Sequence, residues 1–155
     1  MKRFLATILL SLTLTTPTLA KDCSKQDSAV QCLACNIYHE ARGEDLRGMM
    51  AVALVTVNRM ESGEFPDSIC RVVWQSGPQF SWTQDGESDQ MSEPGPARQS
   101  MQVALMVLAN TDAHYETTGL NPNVMWFHNG SVKPDWMRRF DRVARIGGHT
   151  FYEKP

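Results

Sequence analysis

A chain of 155 residues with a formal net charge of −2 is long enough for one domain with a modest core. Fifteen Lys and Arg stand against seventeen Asp and Glu, so there is no basic excess of the kind that draws nucleic acid. After the first twenty residues no apolar run is long and uninterrupted enough to span a bilayer.

Residues 1–20 read as a secretory signal peptide. Lys2 and Arg3 form the charged start, Phe4 to Leu14 the short apolar run, and Pro17 breaks the pattern. Thr18-Leu19-Ala20 supplies small residues where signal peptidase reads them, so cleavage is expected after Ala20. A lipoprotein is disfavoured because Lys21, not Cys, follows. The expected mature domain is 21–155, with a net charge of about −4 once the two positive charges of the leader are gone. The implied location is the periplasm or the exterior, with no stable membrane insertion after cleavage.

The four cysteines, Cys23, Cys32, Cys35 and Cys70, all lie in this mature part. An even count in an exported chain reads first as two disulfides. Cys32-Leu33-Ala34-Cys35 has redox-motif spacing but lacks the preceding strand of a thioredoxin-like context. A four-cysteine zinc site is poor because Cys70 has no paired neighbour. Cys32 and Cys35, three apart, share one helix face, and a bond between them would strain the helix. The expected pairs are Cys32 with Cys70 and Cys23 with Cys35.

Ser28 and Gln31 form a capping-box pattern, followed by Val30, Leu33, Ala34, Ile37, Tyr38 and Ala41 at helical spacing. The first helix should run from about 29 to 42 and stop at Gly43. A second is expected over about 45–61. Its middle, Met49 to Val57, is apolar on nearly every side, the mark of a helix buried all round. Ile69 to Trp74 is apolar but fits helix or strand equally. Residues 75–96, rich in Gly, Pro, Ser, Asp and Gln, read as a long loop of the kind that often carries function. Pro96 suits the first turn of a third helix ending near Asn110. Val124 to His128 reads as a strand closed by Asn129-Gly130, with further strand at Arg142 to Ile146 and His149 to Tyr152 around Gly147-Gly148. The fold class is α+β and mostly helical, with a long buried central helix and a small C-terminal β-sheet.

Glu40, near the end of the first helix, is the leading candidate for chemistry. The negative end of the helix dipole and apolar packing around Tyr38 and Ala41 both disfavour its charged form. A carboxyl group so raised can act as a general acid near neutral pH. Arg42 would pull the other way, and a solvated Glu paired to Arg42 is the structural alternative. His39-Glu40 lacks the second His a zinc protease needs, since position 43 is Gly. His114, His128 and His149 are scattered, so neither a metal nor another cofactor is expected. Gln79-Phe80-Ser81-Trp82 and Trp126-Phe127-His128-Asn129 combine aromatic faces with amide, hydroxyl and imidazole groups. That combination suits a carbohydrate groove; the competing reading is that Phe80 and Trp126 fill core.

Six blocks, in order, make a more specific match. They are Cys-Leu-Ala-x-Asn-Ile-Tyr-His-Glu-Ala-Arg-Gly-Glu (32–44), Ala-Val-Ala-x-Val-x-x-Asn-Arg (51–59), Phe-Pro-Asp-Ser-Ile-Cys-x-Val-Val (65–73), Gln-Phe-Ser-Trp (79–82), Phe-His-Asn (127–129) and Ile-Gly-x-His-x-Phe-Tyr (146–152). Together they resemble the cell wall hydrolase family of the spore-cortex-lytic enzymes, over nearly the whole mature chain. The resemblance implies a lysozyme-like fold, peptidoglycan glycan strands as substrate, and Glu40 as the catalytic acid. It implies lytic transglycosylase chemistry, in which one carboxyl serves as acid and then base, so no second carboxylate is required, unlike two-carboxylate glycosidases. Glu44 is the nearest candidate partner acid in sequence, and Asp85, Glu87 and Asp89 lie in the long loop. The expected substrate-binding set is Tyr38, Gln79, Phe80, Ser81, Trp82, Phe127, His128, Asn129, His149 and Tyr152. No separate wall-binding module is expected in a chain this short, and no spore role follows. The alternatives are an N-acetylmuramyl-L-alanine amidase and a non-catalytic peptidoglycan-binding module.

Overall fold

A computed structural model describes residues 22–77, 79–131 and 133–155. The expected signal peptide lies outside the described residues. Helix α1 spans Ala29–Ala41 and opens on the capping box read from sequence. The Ser28 hydroxyl accepts from the Gln31 amide, and the Gln31 side chain accepts from the Ser28 amide. Helix α2, Leu46–Glu61, is capped by the Asp45 carboxylate, which accepts from the Gly48 amide. Every residue from Gly48 to Arg59 is buried, which no exposed amphipathic helix would allow. Helix α3 (Ile69–Val73) resolves the ambiguous apolar piece as a short helix capped by Ser68.

The expected long loop is present, interrupted by a 3-10 turn at Ser81–Thr83. Helix α4, Pro94–Ala109, carries Pro96 in its first turn as expected, with Pro94 at the first helical position. Helix α5, Thr111–Thr118, is additional. Asn110 ends α4 as expected and also caps α5 by accepting from the Ala113 amide. Gly119 ends α5 at φ +75°, a left-handed conformation that favours glycine.

Three antiparallel strands follow in the spatial order β1-β3-β2. They are β1 (Val124–Asn129), β2 (Asp141–Ile146) and β3 (His149–Glu153). Strands β2 and β3 form a hairpin over Gly147-Gly148, with Ile146 paired to His149. Trp126 pairs with Tyr152 and Phe127 with Phe151. Alternation therefore sends Phe127, His149 and Phe151 to one face and Trp126, His128 and Tyr152 to the other. The first face meets the core, where Phe151 is fully buried. The second is covered by a 3-10 turn at Asp135–Arg138, whose Trp136 meets Tyr152 edge-on at 5.4 Å.

Helix α2 is the hub, touching α1, α3, α4, α5, β1 and β2. Its C-terminal end ties the sheet to the helices. Asn58 donates to the carbonyls of Asn121 and Val124, Arg59 Nε donates to that of Met125, and the Tyr115 hydroxyl donates to Asn58 Oδ1. The Asn-Arg at the end of the second sequence block is thus the joint between helix and sheet. Two disulfides, Cys23–Cys35 and Cys32–Cys70, hold the N-terminal segment and α3 against α1.

Candidate active site

Glu40 occupies the last turn of α1, on the side that faces β1 and the long loop. A cavity of about 250 Å³ opens there, lined by Glu40, Gln79, Ser81, Phe127, His128, Asn129, Pro134 and Trp136. A second, of about 370 Å³, is lined by Arg59, Gln79, Trp126, Phe127, Pro134 and Trp136. The two share Gln79, Phe127, Pro134 and Trp136, so they are halves of one groove. Among the described residues lining it, Glu40 is the only acid and Arg59 the only permanent cation.

Burial pushes the Glu40 carboxyl up to about 7, and the positive charge of Arg59 opposes that rise. Among the described residues neither carboxyl oxygen has a hydrogen-bond partner. This settles the sign that the sequence left open. Arg42 does not pair with Glu40: its guanidinium lies over the Tyr38 ring at 5.0 Å and bonds to Glu93 at 3.0 Å. The counter-charge comes instead from Arg59, which is 3% exposed. Its guanidinium carbon stands 4.9 Å from the Phe80 ring centre and 5.3 Å from that of Phe65. Burial pulls Arg59 down to about 10, and Glu40 opposes that shift in turn.

Of the expected substrate-binding residues, Gln79, Ser81, Phe127, His128 and Asn129 line the groove. His128 is held at both ring nitrogens. Nδ1 meets the Asn129 carbonyl at 2.6 Å and Nε2 meets the Tyr152 hydroxyl at 3.0 Å. A carbonyl only accepts, so Nδ1 carries the proton, and in the neutral ring Nε2 accepts from Tyr152. That leaves His128 no free nitrogen for proton transfer.

Tyr38, Phe80, Trp82, His149 and Tyr152, the rest of the expected set, are buried and are not among the described residues lining either half of the groove. Tyr38 and Phe80 are each only 1% exposed. The Tyr38 hydroxyl accepts from the Glu93 amide at 3.0 Å, on the α4 side of α1. Trp82 stacks on His39 at 4.4 Å and donates to Asn36 Oδ1 at 3.1 Å. Asn36 in turn donates to Thr56, so the Trp82 edge belongs to a buried polar chain between α1 and α2. Phe80 backs the Arg59 guanidinium and Tyr152 braces His128. These residues build the wall behind the groove.

His149 and Glu44 also have structural work. Glu44 accepts from the Gly148 amide at 3.1 and 3.2 Å, and one of its oxygens lies 3.4 Å from His149 Nδ1. Burial lowers the His149 pKa, against the pull of Glu44. Glu44 thus clamps the β2–β3 turn to the segment after α1 and is not a second acid in the groove. Asp85 and Glu87 are exposed, and the Asp89 carbonyl meets His39 Nε2. Arg59 is absent from the sequence-based set, although one Arg beside Asn58 at the end of a mostly apolar, buried helix is a readable signal. Trp136 joins the groove only through its position over the sheet.

The arrangement is a raised-pKa acid in an aromatic, amide-lined groove, a class of site suited to cleaving a glycosidic bond. The profile of the cell wall hydrolase family matches residues 43–152, and the chain belongs to that family. The match opens at Gly43, just after Glu40. The spore cortex-lytic enzyme of Halalkalibacterium halodurans is 30% identical over 128 residues, covering 81% of this chain and 34% of that protein. The spore cortex-lytic enzyme of Bacillus subtilis is 27% identical over 124 residues, covering 80% and 37%. The chain therefore spans little more than a third of the length of these relatives. The catalytic domain of the germination-specific lytic transglycosylase SleB from Bacillus anthracis superposes with a TM-score of 0.62 at 24% identity, over 81% of this chain and 93% of that one. The SleB catalytic domain of Bacillus cereus gives 0.57 at 23% identity, over 81% and 89%. These likenesses show the fold: a mostly helical, lysozyme-like α+β domain.

Proposed function

We propose that this protein is an exported enzyme that cleaves peptidoglycan glycan strands between N-acetylmuramic acid and N-acetylglucosamine, acting as a lytic transglycosylase with Glu40 as acid and then base. The observation that carries this reading is the Glu40 carboxyl, raised to about 7 by burial and opening on an aromatic groove that offers no other acid among its described lining residues. Near neutral pH much of the population holds the proton the leaving oxygen needs. Family membership, the relatives' named activity and the exported character read from residues 1–20 support the same reading.

Protonated Glu40 gives its proton to the glycosidic oxygen as the bond from that oxygen to carbon 1 of the muramic ring breaks. Positive charge grows on that ring. The 6-hydroxyl oxygen of the same sugar then bonds to carbon 1, and its proton passes to the Glu40 carboxylate. The acid is regenerated, no water is consumed, and the product carries a 1,6-anhydro ring. Phe127 and Trp136 offer faces for the sugar rings. Gln79, Ser81 and Asn129 offer hydrogen bonds to hydroxyl and N-acetyl groups.

The test is mass spectrometry of products from purified sacculi, with wild type and Glu40→Gln side by side. Anhydro-muropeptides from the wild type and none from the variant are expected. Reducing ends would replace transglycosylation with hydrolysis. Free stem peptides would point to an amidase, and binding without soluble product to a glycan-binding module.

A further inference from the structure

Arg59, which also lines the groove, has an unmet requirement of its own. Its Nε is used by the Met125 carbonyl at 2.8 Å. Its Nη1 is buried with no hydrogen-bond partner, and no salt bridge ties the guanidinium to a carboxylate among the described residues. A buried cation with an unpaired N–H is costly unless something completes it. The side chain lines the half of the groove next to the one that holds Glu40. Its ring-backed fork is held in place by Phe65 and Phe80. A planar guanidinium so placed is matched in charge and shape by a carboxylate.

Peptidoglycan offers one carboxylate on the sugar that reacts. The lactyl group of N-acetylmuramic acid hangs from carbon 3 of the ring whose carbon 1 reacts. In an intact strand that group is an amide to the stem peptide and carries no charge. Once the stem peptide has been removed it is a free carboxylate.

We propose that Arg59 is a specificity residue that recognises the free lactyl carboxylate of muramic acid, so that the preferred substrate is a glycan strand already stripped of its stem peptides. This rests on the glycan-cleaving reading above. It places the enzyme after an amidase-type reaction that releases the stem peptide. It also fits the electrostatics of the groove. A carboxylate seated on Arg59 neutralises the charge that draws Glu40 toward ionisation, so the acid keeps its proton when a stripped strand is bound.

The test is an NMR titration of Glu40→Gln at pH 6 with the disaccharide N-acetylglucosaminyl-N-acetylmuramic acid and with its lactyl methyl ester. The ester keeps the shape and removes the charge, so the comparison does not depend on whether an Arg59 variant folds. The acid should bind at least about tenfold more tightly, the expected worth of a charge-assisted pair. A smaller ratio overturns the inference. In Glu40→Gln/Arg59→Met that ratio should collapse toward one; a ratio that persists in the folded double variant overturns the assignment to Arg59. If wild type releases anhydro products from sacculi but acid and ester bind alike, this inference alone falls. If no glycan product forms and neither ligand binds, both readings fall.

Discussion

Glu40→Gln tests more than catalysis, because the raised carboxyl has a consequence for stability that can be worked out in advance. The group titrates near 4.5 when exposed and near 7 in the fold. Below pH 4.5 both states hold the proton and the group adds nothing to the pH dependence. Between 4.5 and 7 the unfolded chain ionises while the folded one does not, so folding loses stability as pH rises. Above 7 both are ionised and the loss is complete, at about 3 kcal/mol by pH 8 and under about 1 kcal/mol at pH 5. Gln mimics the protonated acid and cannot ionise. The variant and wild type should therefore melt together at pH 4.5 and separate as pH rises, with the variant the more stable. At about 2–4 °C per kcal/mol for a domain of this size, the gap at pH 8 is about 6–12 °C. Calorimetry or circular dichroism melts at pH 4.5, 6 and 8 measure it. A melting difference that does not change with pH would refute the claim that burial, opposed by Arg59, sets the state of this acid.

The wild-type rate on sacculi should fall on the alkaline side of about pH 7, as the proton is lost from Glu40; a flat profile to pH 9 would deny it the role of acid. Gly147→Ala should destabilise the fold by about 2 kcal/mol or more, because the added Cβ would lie 1.8 Å from a Glu44 oxygen at a backbone φ of +56°. In a Glu44→Ala background that cost should shrink to the backbone contribution of about 1 kcal/mol, a non-additivity that thermal melts of the double-mutant cycle would show. Thiol titration of the oxidised protein should find no free cysteine. Replacing Cys32 and Cys70, which close a 38-residue loop, should cost about 4 kcal/mol in urea unfolding on the chain-entropy account.

The elements easiest to read from sequence were those where one physical cause dominates. An apolar run from Met49 to Val57 has nowhere to go but the centre, and α2 is there. Gly147-Gly148 between two alternating segments forms the expected hairpin, and helix strain between Cys32 and Cys35 steered each to a distant partner. Helix α5 was not legible because its sequence is polar, with only Thr118 fully buried; α2 and the Tyr115–Asn58 bond hold it. The site was half legible for a related reason. Residue type announces that an aromatic is useful, but not which face of a strand or loop it takes. Phe80 and Trp82 turn inward while Gln79 and Ser81 stay at the groove.

The relation between Glu40 and Arg59 could not be read locally at all, since it joins the end of one helix to the end of another. It also decides what the site can do. Had the two been in contact, the ion pair would hold the carboxyl well below neutrality, and the acid would be ionised when it was needed. With no cation near, burial alone would hold the proton more tightly and make the carboxylate costly once that proton was given away. The fold does neither. Arg59 is anchored through Nε to Met125 and backed by Phe65 and Phe80, near enough to act on Glu40 through space but without a salt bridge to it. A fold selected for stability alone would pair these charges or replace both with apolar groups. Keeping them buried, apart and incompletely bonded makes sense when a sugar that supplies a glycosidic oxygen to one, and an anionic group to the other, completes the arrangement.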